Sequence, residues 1–147
     1  MILDTINKQI VEAMKAKDEI RLSTLKLLLS ALHNAKIDKR GDLTKEEELE
    51  IVRREAKKRK DAIEAYKKVG ATDRAEKEEK ELAILQEFLP KELPDKEVSK
   101  LVDEAITTTN ASSMQDMGKV IGAVMAKAKG RADGKKVAEM ARKKLME

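Results

Sequence analysis

Residues 117–137 hold four of the chain's six glycines and six of its Lys and Arg side chains, a combination suited to binding a polyanion rather than to bond-making chemistry. Gly118 and Gly122 lie four apart in an otherwise helical pattern. Each costs about 1 kcal/mol against alanine in a helix interior, so a close approach to that backbone is implied. At helical spacing Met117, Val120, Ile121, Val124 and Ala128 share an apolar arc, and Gly118, Gly122 and Ala126 form a small-residue arc beside it. Two readings of the small arc stay open. One is close helix-on-helix packing; the other is a groove for a nucleic-acid backbone, flanked by Lys119 and Lys127.

The next five residues of interest, Gly130-Arg131-Ala132-Asp133-Gly134, read as a tight corner between helices. Gly130 suits the left-handed residue that closes one helix, and Asp133 caps the next. The N–H groups of Gly134, Lys135 and Lys136 offer an anion site, which Asp133 at the cap weakens; the alternative is a well-capped corner with no ligand. A kinase-type phosphate loop does not fit. Three residues rather than four separate Gly130 from Gly134-Lys135, and Lys136 stands where Ser or Thr would hold Mg²⁺. The candidate RNA-binding set is therefore Gly118, Lys119, Gly122, Lys127, Gly130, Arg131, Lys135 and Lys136.

A secondary basic stripe, Arg53, Arg54, Lys57, Lys58 and Lys60, falls opposite Val52, Ala56 and Ile63 on one helix. It could track phosphates, or be a solvated face paired with acids such as Glu64 for Lys60. The one histidine, His33, has Leu29 and Ile37 at i±4 and no acidic partner, so it is expected at the border of the core and not as a general base. Tyr66 and Phe88 are expected in the core. Aromatics make up 1% of the chain, so base stacking is not the main mode of recognition, and duplex or folded RNA backbone is favoured over single strands. With no Cys and one His, no catalytic residue, metal site or cofactor is expected.

These groups need helices to position them. Charged residues are 41% of the 147, Trp is absent, and only six Gly and two Pro occur, which points to an all-α fold with an aliphatic core. Both prolines lie in 89–95, and each disfavours helix in the residue before it. The expected division is an N-terminal four-helix, hairpin-like domain (1–94) and a small three-helix tail domain (95–147). The first helix is expected to start from Asp4 as cap, the second to run from Glu19 to Ile37, and the third to open on a Thr44/Glu47 capping box. The fourth begins near Asp73 and runs to Phe88, and the charged middle pair forms an extended antiparallel hairpin. In the tail domain Asp95 caps the first helix, Thr107–Asn110 stops it, and Ser113 with Asp116 forms a box before the next. Val137, Met140, Ala141 and Leu145 carry the last helix. Fifty-odd residues is about the lower limit for an independent core.

Net charge is +4, and its excess is local: residues 113–147 carry nine basic and four acidic side chains. That permits a polyanion partner. No signal sequence or membrane span is visible, so a cytoplasmic, membrane-free protein is expected.

Met117-Gly118-Lys119-Val120 through Gly122, then Lys129 to Gly134 and Val137, resemble the GatB/YqeY family in its bacterial members. Arg21 to Leu32, Arg53 to Tyr66 and Leu85 to Pro90 support the match, which spans essentially the whole chain. The resemblance implies an N-terminal helical domain followed by a helical tail domain, similar to the end of the B subunit of aspartyl/glutamyl-tRNA amidotransferase. There the tail helps hold tRNA while a preceding domain activates and transfers the amide. It further implies carbon–nitrogen ligase activity with glutamine as amido donor, exercised within a complex. At 147 residues, without Cys or a nucleotide motif, the chain is expected to bind and not to catalyse alone. Binding roles carry over to Lys119, Gly122, Lys127, Gly130, Arg131 and Lys135. Three functions stay open: a tRNA- or RNA-binding accessory module, with a protein partner on its N-terminal helices; a component contributing to carbon–nitrogen ligation; and a protein-interaction module. A DNA-reading helix-turn-helix is disfavoured, since the last helix is mostly Lys and Ala.

Overall fold

A computed structural model describes every residue from Met1 to Glu147 and contains helices but no strand. The α-helices are α1 (Ile2–Lys15), α2 (Glu19–Lys39), α3 (Lys45–Lys68), α4 (Thr72–Gln86), α5 (Asp95–Thr109), α6 (Met117–Ala128) and α7 (Gly134–Met146), with a 3₁₀ turn at Met114–Asp116. They fall into two compact units, Met1–Leu89 and Pro90–Glu147.

In the first unit α1 packs on α2, and α3 and α4 form a long antiparallel pair that both touch α2. Its core is aliphatic: Ile6, Leu25, Leu28, Leu32, Val52 and Leu85 are all buried, each contributing about 1.5–3 kcal/mol by leaving water. The α3 cap is the expected box. Thr44 Oγ1 accepts from the Glu47 N–H at 3.1 Å, and Glu47 Oε2 accepts from the Thr44 N–H at 2.8 Å. The Lys39 ammonium, 2.6 Å from Glu47, and that backbone hydrogen bond hold the Glu47 carboxyl below its usual range. Gly70 takes φ +71° in the α3–α4 connection, a left-handed conformation that suits glycine.

The start of α1 departs from expectation. Asp4 is not the cap; it lies in the first turn, and Met1 at the cap position supplies no side-chain acceptor. The acceptor is Glu48, a fully buried carboxylate from α3. Its Oε1 accepts from Ile2 N–H at 3.1 Å and its Oε2 from Leu3 N–H at 2.9 Å. Two orphan N–H groups of one helix thus satisfy a buried charge on another.

Other corrections are local. Helix α2 continues to Lys39 rather than Ile37, and Arg40, at φ +60°, takes the left-handed cap position. His33 is exposed and not at the core border. Tyr66 and Phe88 are half-buried; Tyr66 lies under the Arg74 guanidinium, 6.0 Å from its ring centre, and Phe88 packs at the core's edge.

Charge is buried along the α3–α4 pair. Arg59 Nε lies 3.2 Å from Glu81 Oε2 and 3.6 Å from Glu78 Oε2, with all three side chains less than one-fifth exposed. Glu78 Oε2 is buried and receives no hydrogen bond. Burial, followed by repulsion from Glu81, pushes the Glu78 carboxyl above its ordinary range. A raised carboxyl pKa means that the fold favours the protonated form. The stability it contributes is present below the ordinary glutamate pKa and lost as pH rises through the elevated one. Glu78→Gln is therefore expected to melt higher than wild type at pH 7 and level with it at pH 4. Thermal melts across that range check this; a lower melting point at pH 7 contradicts it.

The second unit is built from smaller side chains. Val98, Val102, Val120, Val124 and Val137 are at most 1% exposed, and Ala105, Ala128 and Ala141 fill between them. Two of the expected caps differ and one stop holds. Pro94 occupies the α5 cap position, with Asp95 the first helical residue. The Thr107–Asn110 stop holds: α5 ends at Thr109 with Asn110 as its left-handed cap at φ +53°, while the three threonine hydroxyls donate to the carbonyls of Asp103, Glu104 and Ala105. Ser113 makes no capping hydrogen bond, and Asp116 instead accepts from the Ser112 N–H at 3.0 Å.

Candidate nucleic-acid interface

Helix α6 has two opposed faces. Val120, Val124 and Ala128 are buried against α5 and α7, and Met117 and Ile121 flank them. On the other side Gly118, Gly122 and Ala126 are exposed. A Cβ built on Gly118 or Gly122 meets nothing within 4 Å. No helix of the unit closes on this arc, which corrects the reading of the glycines as an intramolecular packing seam. Gly122 carries the helix penalty of glycine without an internal reason for it. Gly122→Ala is expected to raise stability by about 0.4–1 kcal/mol, read as a higher midpoint in urea; a loss of stability contradicts an open face.

The cations around this arc differ in their freedom. Lys119 is exposed and forms no ion pair. Lys127 is also exposed, with its Nζ 3.6 Å from Glu104 Oε2. Lys135 is exposed at the start of α7, where the Asp133 cap accepts the Lys135 N–H at 3.3 Å. Lys136 pairs with Asp95, and that hydrogen bond raises the ammonium above its usual pKa.

The corner between α6 and α7 is fixed by backbone geometry. Lys129 (φ +49°) and Gly130 (φ +76°) are both left-handed, so the helix ends on two such residues rather than on Gly130 alone. Arg131 is drawn into the same unit. Its Nε donates to the Lys91 carbonyl at 2.9 Å, and its own carbonyl accepts from the Leu93 N–H at 2.8 Å. Its guanidinium thus holds the 91–93 segment as well as adding charge. Gly134 opens α7, half-buried.

The secondary stripe is less uniform. Arg53 is 20% exposed and pairs with Glu50 at 3.0 Å, and Lys58 pairs with Glu55 at 3.1 Å. Arg54 and Lys57 are exposed, whereas Lys60 is half-buried. All five lie on α3 in the first unit, and the glycine face lies on α6 in the second. Local spacing did not reveal that α5 supplies acids to the cations of α6 and α7. Lys144 is a further example, 2.5 Å from Asp103 and 3.3 Å from the Ser99 carbonyl.

A protein-family model described as Yqey-like protein matches residues 3–145. The chain belongs to the Yqey-like family. It is 36% identical over 85 residues to an uncharacterized protein of Schizosaccharomyces pombe, a match covering 58% of this chain and 69% of that one. It is 32% identical over 124 residues to Altered inheritance of mitochondria protein 41, mitochondrial, of Lachancea thermotolerans, covering 79% of this chain and 66% of that protein. A stretch of 74 residues, 48% of this chain, is 39% identical to 10% of a Glutamyl-tRNA(Gln) amidotransferase subunit of Thermococcus gammatolerans. The chain thus spans about two thirds of the length of the first two relatives and a small part of the third. No helix is long and apolar enough to cross a membrane.

Proposed function

We propose that this chain is an RNA-binding accessory module that lays the exposed face of α6 against the backbone of a tRNA-like molecule. The observation that carries this reading is the open Gly118–Gly122–Ala126 arc, bordered by the unpaired Lys119. With no Cβ at Gly118 and Gly122, a ribose–phosphate chain reaches the helix backbone closely while Lys119, Lys127 and Lys135 supply charge. Similarity to part of a protein named as a tRNA amidotransferase subunit favours tRNA as the class of RNA. Only 10% of that subunit is matched, so the similarity carries binding rather than amide chemistry into this reading. The compartment we assign is the cytoplasm, whereas the relatives named Altered inheritance of mitochondria protein 41 are named as mitochondrial. Exposed Val11, Met14, Leu27 and Ile37 on α1 and α2 favour a protein partner there as a second reading, one that would also bring the module to a ligase complex.

The test is fluorescence anisotropy with a labelled tRNA transcript at rising salt. Affinity is expected to fall steeply between 50 and 200 mM salt, as counterion release demands (about 0.7–0.9 in log–log slope per phosphate contact). Absence of binding at low salt, or binding indifferent to salt, overturns the proposal.

A further inference from the structure

Three cations of the Pro90–Glu147 unit are tied to carboxylates of a single helix, α5. Lys136 of α7 pairs with Asp95, Lys127 of α6 lies 3.6 Å from Glu104, and Lys144 of α7 lies 2.5 Å from Asp103. Two of these cations, Lys127 and Lys136, belong to the set assigned above to RNA. Both of their pairs are exposed on each side: Lys127 by 56% and Glu104 by 45%, Lys136 by 45% and Asp95 by 65%. Pairs this wet open at small cost. A carboxylate oxygen and a phosphate oxygen are also alternative anionic acceptors for one ammonium. Glu104 and Lys127 further line a shallow groove of about 450 Å³ with Asp103, Thr107 and Thr108. The two threonine hydroxyls there are spent on α5 carbonyls, leaving ammonium and carboxylate as the groove's charged groups.

We propose that Asp95 and Glu104 act as built-in competitors of phosphate, holding Lys136 and Lys127 in neutral pairs until a polyanion displaces them. The inference rests on the RNA-binding reading and adds its regulation. A single anion gains little by exchanging one acceptor for another. A folded RNA engages Lys119 at the same time and wins the exchange by many simultaneous contacts. The displaced carboxylates then recapture cations from solution, which subtracts from the counterions that RNA releases.

The experiment compares two double variants of equal net charge. Asp95→Asn/Glu104→Gln removes the competitors; Glu97→Gln/Glu139→Gln removes two exposed acids of the same unit that hold no cation. Both are isosteric changes on exposed side chains, and thermal melts verify that each remains folded. Binding of a labelled tRNA transcript is measured from 50 to 200 mM salt. The first variant is expected to bind about 2- to 10-fold tighter than the second, with a salt slope steeper by about one to two. Equal affinities and slopes for the two variants, alongside a wild type that binds, overturn this inference alone. A wild type and variants that all fail to bind overturn the RNA reading and this inference together.

Discussion

Glu48→Ala is expected to destabilise the Met1–Leu89 unit by about 2–4 kcal/mol. Two charge-assisted hydrogen bonds are lost, from Ile2 and Leu3, and the first turn of α1 loses its only side-chain acceptor. The N–H groups left behind sit at a part-buried helix end where water replaces the carboxylate imperfectly. The carboxylate also faces the positive end of the α1 dipole, which adds to the interaction. Glu48→Gln keeps one carbonyl oxygen for one of the two N–H groups and directs an amide donor at the other, so it is expected to fall between wild type and alanine. Equilibrium urea unfolding followed by circular dichroism gives all three stabilities. A cost below about 0.5 kcal/mol for alanine, the range of an ordinary surface change, contradicts a capping role.

The second large effect is on binding. Lys119→Glu combined with Gly122→Glu is expected to weaken tRNA binding on the order of 100-fold at low salt. The double change removes one phosphate contact and places two carboxylates where the backbone should lie, and like charges brought together at an interface cost several kcal/mol. The fold should be unharmed. Nothing lies within 4 Å of a Cβ at Gly122, and Glu is a better helix former than Gly. Loss of binding with a melting point at or above wild type separates a contact surface from a damaged fold. Gly122→Ala supplies the complement: a stabilised chain that keeps most of its affinity, because one methyl group intrudes little.

What could be read in the sequence was what depends on neighbours a few residues away. The Thr44/Glu47 box, the Asp133 cap and the Val98, Val102, Ala105 stripe all follow from local spacing and appear in the structure. The apolar arc of α6 is of the same kind. Glu48 was not legible because it lies beside Leu49 in a run of acids, and its partners are 46 and 45 residues away. The ordinary signal was misleading as well: Asp4 resembles a cap, yet α1 begins before it. Charge at the candidate interface was legible in amount but not in availability. Lys119, Lys127 and Lys136 look alike in sequence, and only their surroundings distinguish an unpaired ammonium from two that α5 neutralises. Arg131, a candidate RNA contact in the sequence, holds the Lys91 carbonyl in the structure.

The threonine run shows a stop signal that holds although its local mechanism differs. Three β-branched polar residues followed by Asn suggest an ending, because their hydroxyls compete for backbone groups. The helix does end there, but on the left-handed Asn110, while the hydroxyls bond back to carbonyls four residues earlier. The last turn of α5 carries Thr107 and Thr108 to the edge of the groove beside Lys127.

The most direct measurement is a titration of the isotope-labelled chain with unlabelled tRNA transcript, followed by amide chemical shifts. An RNA backbone on the open face of α6 predicts shifts that gather on Gly118, Lys119, Gly122 and Ala126. Smaller ones are expected at Lys127 and Lys135, and none at the buried Val120 and Val124 beyond what the helix transmits. Shifts confined to Arg54 and Lys57 on α3, or no shifts at saturating RNA, would contradict it.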